Sequence, residues 1–509
     1  MRIQAFSTIR TVTFRSLMTV FMGASCAVMA SASGADTLSI DLSTGIQMAL
    51  EQSPSARSAR HSFLSSHWSY RNFRANYLPW VNLTSTPNVN NVINKITQSD
   101  GTVRFIQQSH FSGDLSLSIN QNIALTGGTL FLSSGLNYLR EFNENSNMFS
   151  SVPISVGYSQ NLFGYNSLKW NKRIEPLRYT YAKKNYAEAI ELVSAQACSQ
   201  FFSLASALSE VETARSNFAS ADTLYRMAQG RYKIGTITEN EMIQLEIRRL
   251  TQETVVMDAE ISLEERLQSF RSFLGLPQDT PVSLVLPDSV PLFEVPFGHA
   301  LELAMQNSPD PTYYELSKRE AESNLAVAKA NSGLRADIYL KLGLSQTGDN
   351  VARAYKHPQS QEYGSISLSL PVLDWGRGKG SVKLAKSNLE LTQIRSEQGM
   401  DDFRQNVQKL VAQFNMQGRK VRIARLTGQR AEHRYNVAMR LYIMGQTSLL
   451  ELNDAIAERN SSRRSYISSI STFWTLFYTL RSLTGYDFQT NRPLSENFPY
   501  NLTKKPWNN

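Results

Sequence analysis

Cysteine is almost missing from this chain: Cys26 and Cys198 are the only two in 509 residues. Cys26 falls in the N-terminal leader described below, so the mature chain holds one thiol and no internal disulfide. Long apolar runs are missing too. Past the leader, none reaches the ~18 residues that a membrane helix needs. Any membrane contact of the mature chain must therefore use β-strands. Histidine is sparse, six residues without metal spacing, and His61 and His67 are not four apart on a helix. There is no Gly-x-Ser-x-Gly and no His-Glu-x-x-His. Gly376-Arg377-Gly378-Lys379-Gly380-Ser381 lacks the glycine five residues before Gly378 that a phosphate loop requires, and reads as a bend from strand to helix. No catalytic constellation, metal site or cofactor site emerges, and an enzyme is not expected.

The leader has Arg2, Arg10 and Arg15, then an apolar stretch from Leu17 to Ala30, then Ala30-Ser31-Ala32. This is the charged, apolar and small-residue order of a secretory signal, with cleavage expected after residue 32. A lipoprotein signal would use Cys26, but Gly23 stands where such signals carry a branched aliphatic. Without residues 1–32 the net charge drops from +9 to +6, too modest to imply nucleic acid.

What is present is repetition. Arg231-Tyr232-Lys233-Ile234-Gly235 recurs as Arg440-Leu441-Tyr442-Ile443-Met444-Gly445, with Tyr232/Tyr442 and Gly235/Gly445 offset by 210 residues. Arg271-Ser272-Phe273-Leu274-Gly275 recurs at the same offset as Arg481-Ser482-Leu483-Thr484-Gly485. Apolar residues approach the first glycine at steps of 3 and 4: Ile190, Val193, Ala197, Phe201, Leu204, Leu208 and Val211. Others leave it: Ile243, Ile247, Leu250, Met257 and Ile261. This is a coiled-coil pattern, and Gly followed by Thr, Ser or Asn ends one helix and caps the next. Each glycine therefore marks the tip of a hairpin of two long helices. Tyr165 to Gly235 alone would span roughly 100 Å as a helix.

The duplication reaches further. Met48-Ala49-Leu50-Glu51-Gln52-Ser53-Pro54 pairs with Leu303-Ala304-Met305-Gln306-Asn307-Ser308-Pro309 at offset 255. Residues 36–76 are expected to be helical. The drop in offset leaves the first half about 45 residues longer between its first helix and its hairpin. That region alternates as strands do, in Leu115-Ser116-Leu117-Ser118-Ile119-Asn120 and Ile154-Ser155-Val156-Gly157-Tyr158-Ser159. Strands are expected at about 78–93, 104–125, 129–142 and 152–162, then 334–347 and 362–373. One face is apolar and the other small and polar, which suits a barrel strand between lipid and water, or a soluble sheet with one wet face. Four to six strands cannot close a barrel, so copies of the chain must complete it. The organisation read here is a signal at 1–32, a first repeat at 36–275, a proline-rich linker at 276–298, a second repeat at 299–485 and an irregular tail at 486–509.

The paired tips, the Ala-Asn ending each repeat's first helical segment and Leu370-Pro371-Val372-Leu373-Asp374-Trp375-Gly376-Arg377 together resemble the TolC family of outer-membrane efflux proteins, over essentially the whole mature chain. The resemblance implies an α+β membrane protein. A trimeric transmembrane β-barrel would continue as a long periplasmic helical barrel. It implies a homotrimer in outer-membrane lipid, a periplasmic adaptor and an inner-membrane pump as partners, and cargo that leaves unchanged. On this chain it places Glu451 and Asp454 at the closed periplasmic aperture, with Glu241 and Tyr442 as partners of the closing network. It makes Tyr232, Gly235, Thr236, Gly445, Gln446 and Thr447 the adaptor-docking tips. Thr447 departs from the family pattern, which has arginine there. The other reading of Glu241 and Glu451 is that they are acids favoured by a helix start. A passive porin and a secreted coiled-coil scaffold are the rival functions; porins have short periplasmic turns, which the long hairpins contradict.

Overall fold

The computed structural model describes residues 38–494 apart from 100, 144 and 288; the expected signal and Cys26 lie outside these residues. In chain order the elements are β1 (Leu38–Asp41), α1 (Leu42–Gln52), α2 (Pro54–Ala75), β2 (Trp80–Thr97), β3 (Val103–Ile123), β4 (Gly128–Glu141), β5 (Ser146–Leu162), α3 (Ser167–Lys233), α4 (Glu239–Leu274), β6 (Val282–Val285), α5 (Phe297–Asn307), α6 (Pro309–Ser332), β7 (Arg335–Gly348), α7 (Val351–Ala354), β8 (Gln359–Ser369), α8 (Arg377–Ile443), α9 (Leu449–Thr484), β9 (Tyr486–Asp487) and β10 (Arg492–Pro493).

The hairpins are duplicated in length as well as in sequence. α3 and α8 have 67 residues each, and α4 and α9 have 36. Both arms of each hairpin are long, as expected, but they are unequal. Each long helix packs at the tip end against its short partner, and beyond that against α1 and α2 or α5 and α6. The expected single helix at 36–76 is in fact a strand and two helices. Ser53 divides the helices: its N–H closes α1 on Ala49 O at 3.1 Å, and its hydroxyl caps α2 by accepting from Ala56 N at 3.1 Å. Pro54 follows, free to start a helix because its missing N–H has no partner to lose there. Ser308-Pro309 repeats the device between α5 and α6.

The proline-rich linker is not irregular throughout. β6 sits between Pro281 and Pro287 and pairs in parallel with β1. Farther along, Asn415 of α8 holds Val295 by both its backbone groups, at 2.9 and 3.0 Å. Those strands and the aromatic core of Phe201, Phe270, Phe414, Phe473 and Phe477 tie the two repeats together midway along the helices. The tail also has structure, since β9 and β10 pair as far as it is described.

All six candidate strands form one antiparallel sheet in the order β2-β3-β4-β5-β7-β8. It is open, with β2 and β8 as edges. Register carries one row of apolar residues across a single face: Val81, Ile119, Leu132, Val156 and Leu342. The opposite face carries Ser116, Ser118, Ser133 and Ser155. None of the described helices is long and apolar enough to cross a membrane.

Candidate functional site at the hairpin tips

Each tip is a helix end of the Schellman type. Thr236 N donates to Arg231 O at 3.0 Å, and Gln446 N donates to Leu441 O at 2.9 Å. The turn puts Gly235 at φ 72° and Gly445 at φ 77°, where a Cβ is disfavoured. Both glycines, with Tyr232, Thr236 and Gln446, are exposed, while Thr447 is half-buried. Arg231 bridges the tips by donating from Nη2 to Ile443 O at 3.0 Å. This contact was not legible in the sequence.

The four expected aperture residues do not form one cluster within a protomer. Glu241 completes a capping box: its carboxylate accepts from Thr238 N at 3.0 Å, and Thr238 Oγ1 accepts from Glu241 N. Glu451 takes a hydrogen bond from the Thr447 hydroxyl, while its own N–H is capped by Ser448. So Thr447, where the resemblance implies an arginine, supplies a hydroxyl that anchors Glu451. Glu451 and Asp454 are exposed and, three residues apart, share a helix face. Tyr442 is half-buried. Burial pushes its phenol up, and the charges of Arg231, Glu241 and Arg248 act on it.

Behind these acids lies a groove of about 480 Å³ between α4 and α9, lined by Asn217, Gln244, Arg248, Gln252, Asn453 and Asn460. Arg248 is half-buried, and its guanidinium is pushed down by burial against the opposing effect of Tyr442 and Tyr435. Arg459 stacks 4.0 Å over the Tyr435 ring and donates to Asn217 Oδ1 at 2.6 Å. Sequence reading missed both arginines. Their spacing from Tyr435 and Tyr442 is long-range, and no local motif marks it. Beneath them Leu224, Leu245, Leu452, Ala455 and Ile456 pack the two hairpins together.

Unequal helical hairpins on an open six-stranded sheet are a fold that this chain shares with solved outer membrane channels. Among solved structures, the Campylobacter jejuni CmeC outer membrane channel is similar at TM-score 0.63 and 14% identity, covering 90% of this chain and 88% of that one. The Vibrio cholerae outer membrane protein VceC is similar at TM-score 0.60 and 13% identity, covering 87% and 96%. Residues 300–485 match the family described as outer membrane efflux protein. The nodulation protein T of Rhizobium leguminosarum bv. viciae is 22% identical over 341 residues, 63% of this chain and 66% of that relative, so the match spans a little under two thirds of its length. Residues 300–485 thus carry the outer membrane efflux protein domain, the likeness to the solved channels shows that the chain shares their fold, and the protein is located in the outer membrane. That family consists of channels, which are not enzymes.

Proposed function

We propose that three copies of this chain form the outer-membrane exit duct of a tripartite export system, which passes cargo unchanged from an inner-membrane pump through a periplasmic adaptor. The observation that carries this is an open sheet with one apolar face and two unpaired edges, standing on helices roughly 100 Å long. Unpaired edges are not tolerated in lipid, so the sheet must be closed by other copies.

The widths agree. Six strands about 4.8 Å apart, tilted by ~40°, occupy an arc of roughly 38 Å. Four helices side by side at 9–10 Å occupy about the same. Three copies thus give an eighteen-strand barrel, large enough to leave an aqueous lumen, on a helical tube of matching girth. A trimer explains both halves of the molecule with one symmetry operation. The exposed tips at Gly235 and Gly445 are the docking surface for the adaptor.

The narrowest point of the resting duct is the ring of Glu451 and Asp454 from three copies. Six carboxylates around one axis favour cations and bind polyvalent cations by bridging. Single-channel recording in a planar bilayer tests this. The parent should prefer cations and be blocked by polyvalent cations from the periplasmic side. Glu451→Ala with Asp454→Ala should lose much of both. Unchanged selectivity and block would remove these acids from the aperture and leave them as helix-start residues.

A further inference from the structure

A band of rings crosses the polar face of the sheet at one level. Following the register from edge to edge, Trp80 stands opposite Asn120, Asn120 opposite Phe131, and Phe131 opposite Gly157. Gly157 stands opposite Lys341, and Lys341 opposite Tyr363. Tyr339, two residues from Lys341 and so on the same face, fills the diagonal. Its ring is stacked 5.6 Å from that of Phe131 and lies edge-on at 5.8 Å to that of Tyr363. Next to this band on the same face are Ser116, Ser118 and Ser133.

Gly157 makes room for the band. A Cβ there would come within 2.1 Å of Phe131 Cζ, so the ring lies over bare backbone. Tyr363 is 55% exposed, and Lys341 makes no ion pair among the described residues. Rings held on a wet face gain less from burial than rings on the apolar face, where Phe111, Tyr138 and Phe149 cluster. The polar-face rings are therefore not explained by packing alone.

We propose that Trp80, Phe131, Tyr339, Tyr363 and Lys341 form a cargo-binding subsite in the barrel lumen for planar aromatic anions. The proposal rests on the channel reading above, which makes the polar face the lumen. A planar ring stacks in offset fashion on Phe131 and Tyr339, or edge-on to Tyr363. Its carboxylate or sulfonate meets the Lys341 ammonium. Shallow repeated sites of this kind suit a duct, because cargo must bind well enough to enter and weakly enough to leave. The acids at the tips lie at the other end of helices about 100 Å long, so the two ends select independently.

The test is equilibrium dialysis of the detergent-purified full chain against labelled naphthalene sulfonate. Unlabelled methanesulfonate and naphthylmethylammonium serve as competitors, and channel current is recorded from the same preparation. Naphthalene sulfonate should bind and be displaced poorly by either competitor. Lys341→Gln should weaken binding about fivefold and Lys341→Arg restore most of it, while Phe131→Ala should weaken it about threefold. Equal binding by parent and Lys341→Gln protein overturns the subsite, as does methanesulfonate competing as well as the aromatic anion. Current without binding removes the subsite and leaves the channel. Binding without current removes the channel reading instead.

Discussion

The two repeats have the same helices and different neighbours. α3 and α8 match in length and in tip geometry, yet α3 is buried along its middle while α8 leaves Leu384, Leu391, Ile394, Met416, Ile423 and Leu426 exposed. The reason is position. α3 packs against α4, α9, α2 and α6, whereas α8 touches only the second repeat's helices α9, α6 and α5 closely. On the other flank, α4 turns Ile243, Ile247, Leu250, Met257 and Ile261 outward and buries Leu245, Ala259, Phe270 and Leu274 instead. One flank thus carries α8 and the edge strand β8 from which it descends. The other carries α4, α2 and the edge strand β2. Duplication makes equally apolar helices, and only the place in the row decides which of them still needs a partner.

The largest effect should come from removing that partner's seat. Leu391→Glu with Ile394→Glu places two carboxylates on the exposed stripe of α8, where another copy is expected to pack. Burying unpaired charge costs several kcal/mol per site. The mass measured in detergent should fall from about three chains to one, with helix content unchanged. A variant that stays at three chains would show that this stripe faces something other than a second copy.

The arginines that end α4 and α9 sharpen the comparison. Arg481 lies between Glu191 at 3.2 Å and Asp487 at 3.3 Å, with both it and Glu191 largely buried. Arg271 donates to Thr280 O at 2.9 Å, and its acid, Glu264, is well exposed at 3.5 Å. Burial pushes the Glu191 carboxyl up, and the Arg481 charge opposes it. Glu191→Ala leaves the buried Arg481 with Asp487 alone and should cost about 2 kcal/mol. Glu264→Ala should cost under about 0.5 kcal/mol. Urea unfolding followed by helix signal measures both, and equal losses would mean that the two helix ends are equivalent after all.

At the tips the repeats should behave alike. Neither Gly235 nor Gly445 has any atom near the site of an added Cβ, so the penalty of Val is conformational, about 1–2 kcal/mol for a positive φ. Gly235→Val and Gly445→Val should each stop export in cells while the trimer survives. Normal export by both would reduce the tips to plain turns.

Much of this was legible in the sequence for physical reasons. A glycine at a helix end and strict alternation in a strand are local signals, and each fell where the residues said it would, whereas the Ser-Pro pair that divides α1 from α2 was read through as helix. What was not legible depends on distant partners. Ile243 and Leu245 are both apolar on one helix, and periodicity alone does not say which stripe of α4 is buried and which is left exposed. The β1–β6 pair joins residues over 240 apart in sequence, between prolines that locally forbid regular structure. No local signal ties Arg231, Arg248 and Arg459 to Ile443, Tyr442 and Tyr435, to which the folded hairpins bring them. Glu241 had two readings in sequence, and its capping box with Thr238 is the geometry of the helix-start role.

The smallest expected effect lies where the repeats meet. Glu188 of α3 faces Asp310, just inside α6, with Tyr181, Tyr313 and Tyr314 around them and Lys184 donating to Thr312 at 2.9 Å. Burial first, and the Asp310 charge second, push the Glu188 carboxyl up to about 7. Burial raises Asp310 as well. An acid whose folded value is raised holds its proton longer in the folded state. Its contribution to stability is complete below the ordinary carboxylate value and is lost as pH rises through about 7. The parent's thermal midpoint should therefore fall between pH 5 and 8. Glu188→Gln keeps the neutral shape and removes the titration, so its midpoint should match the parent's at pH 5 and exceed it at pH 8. Asp310→Asn should give a shallower version of the same change, since it removes only the second cause. If Glu188→Gln leaves the parent's pH dependence intact, the carboxyl is solvated where α3 meets α6, and that junction is looser than its packing indicates.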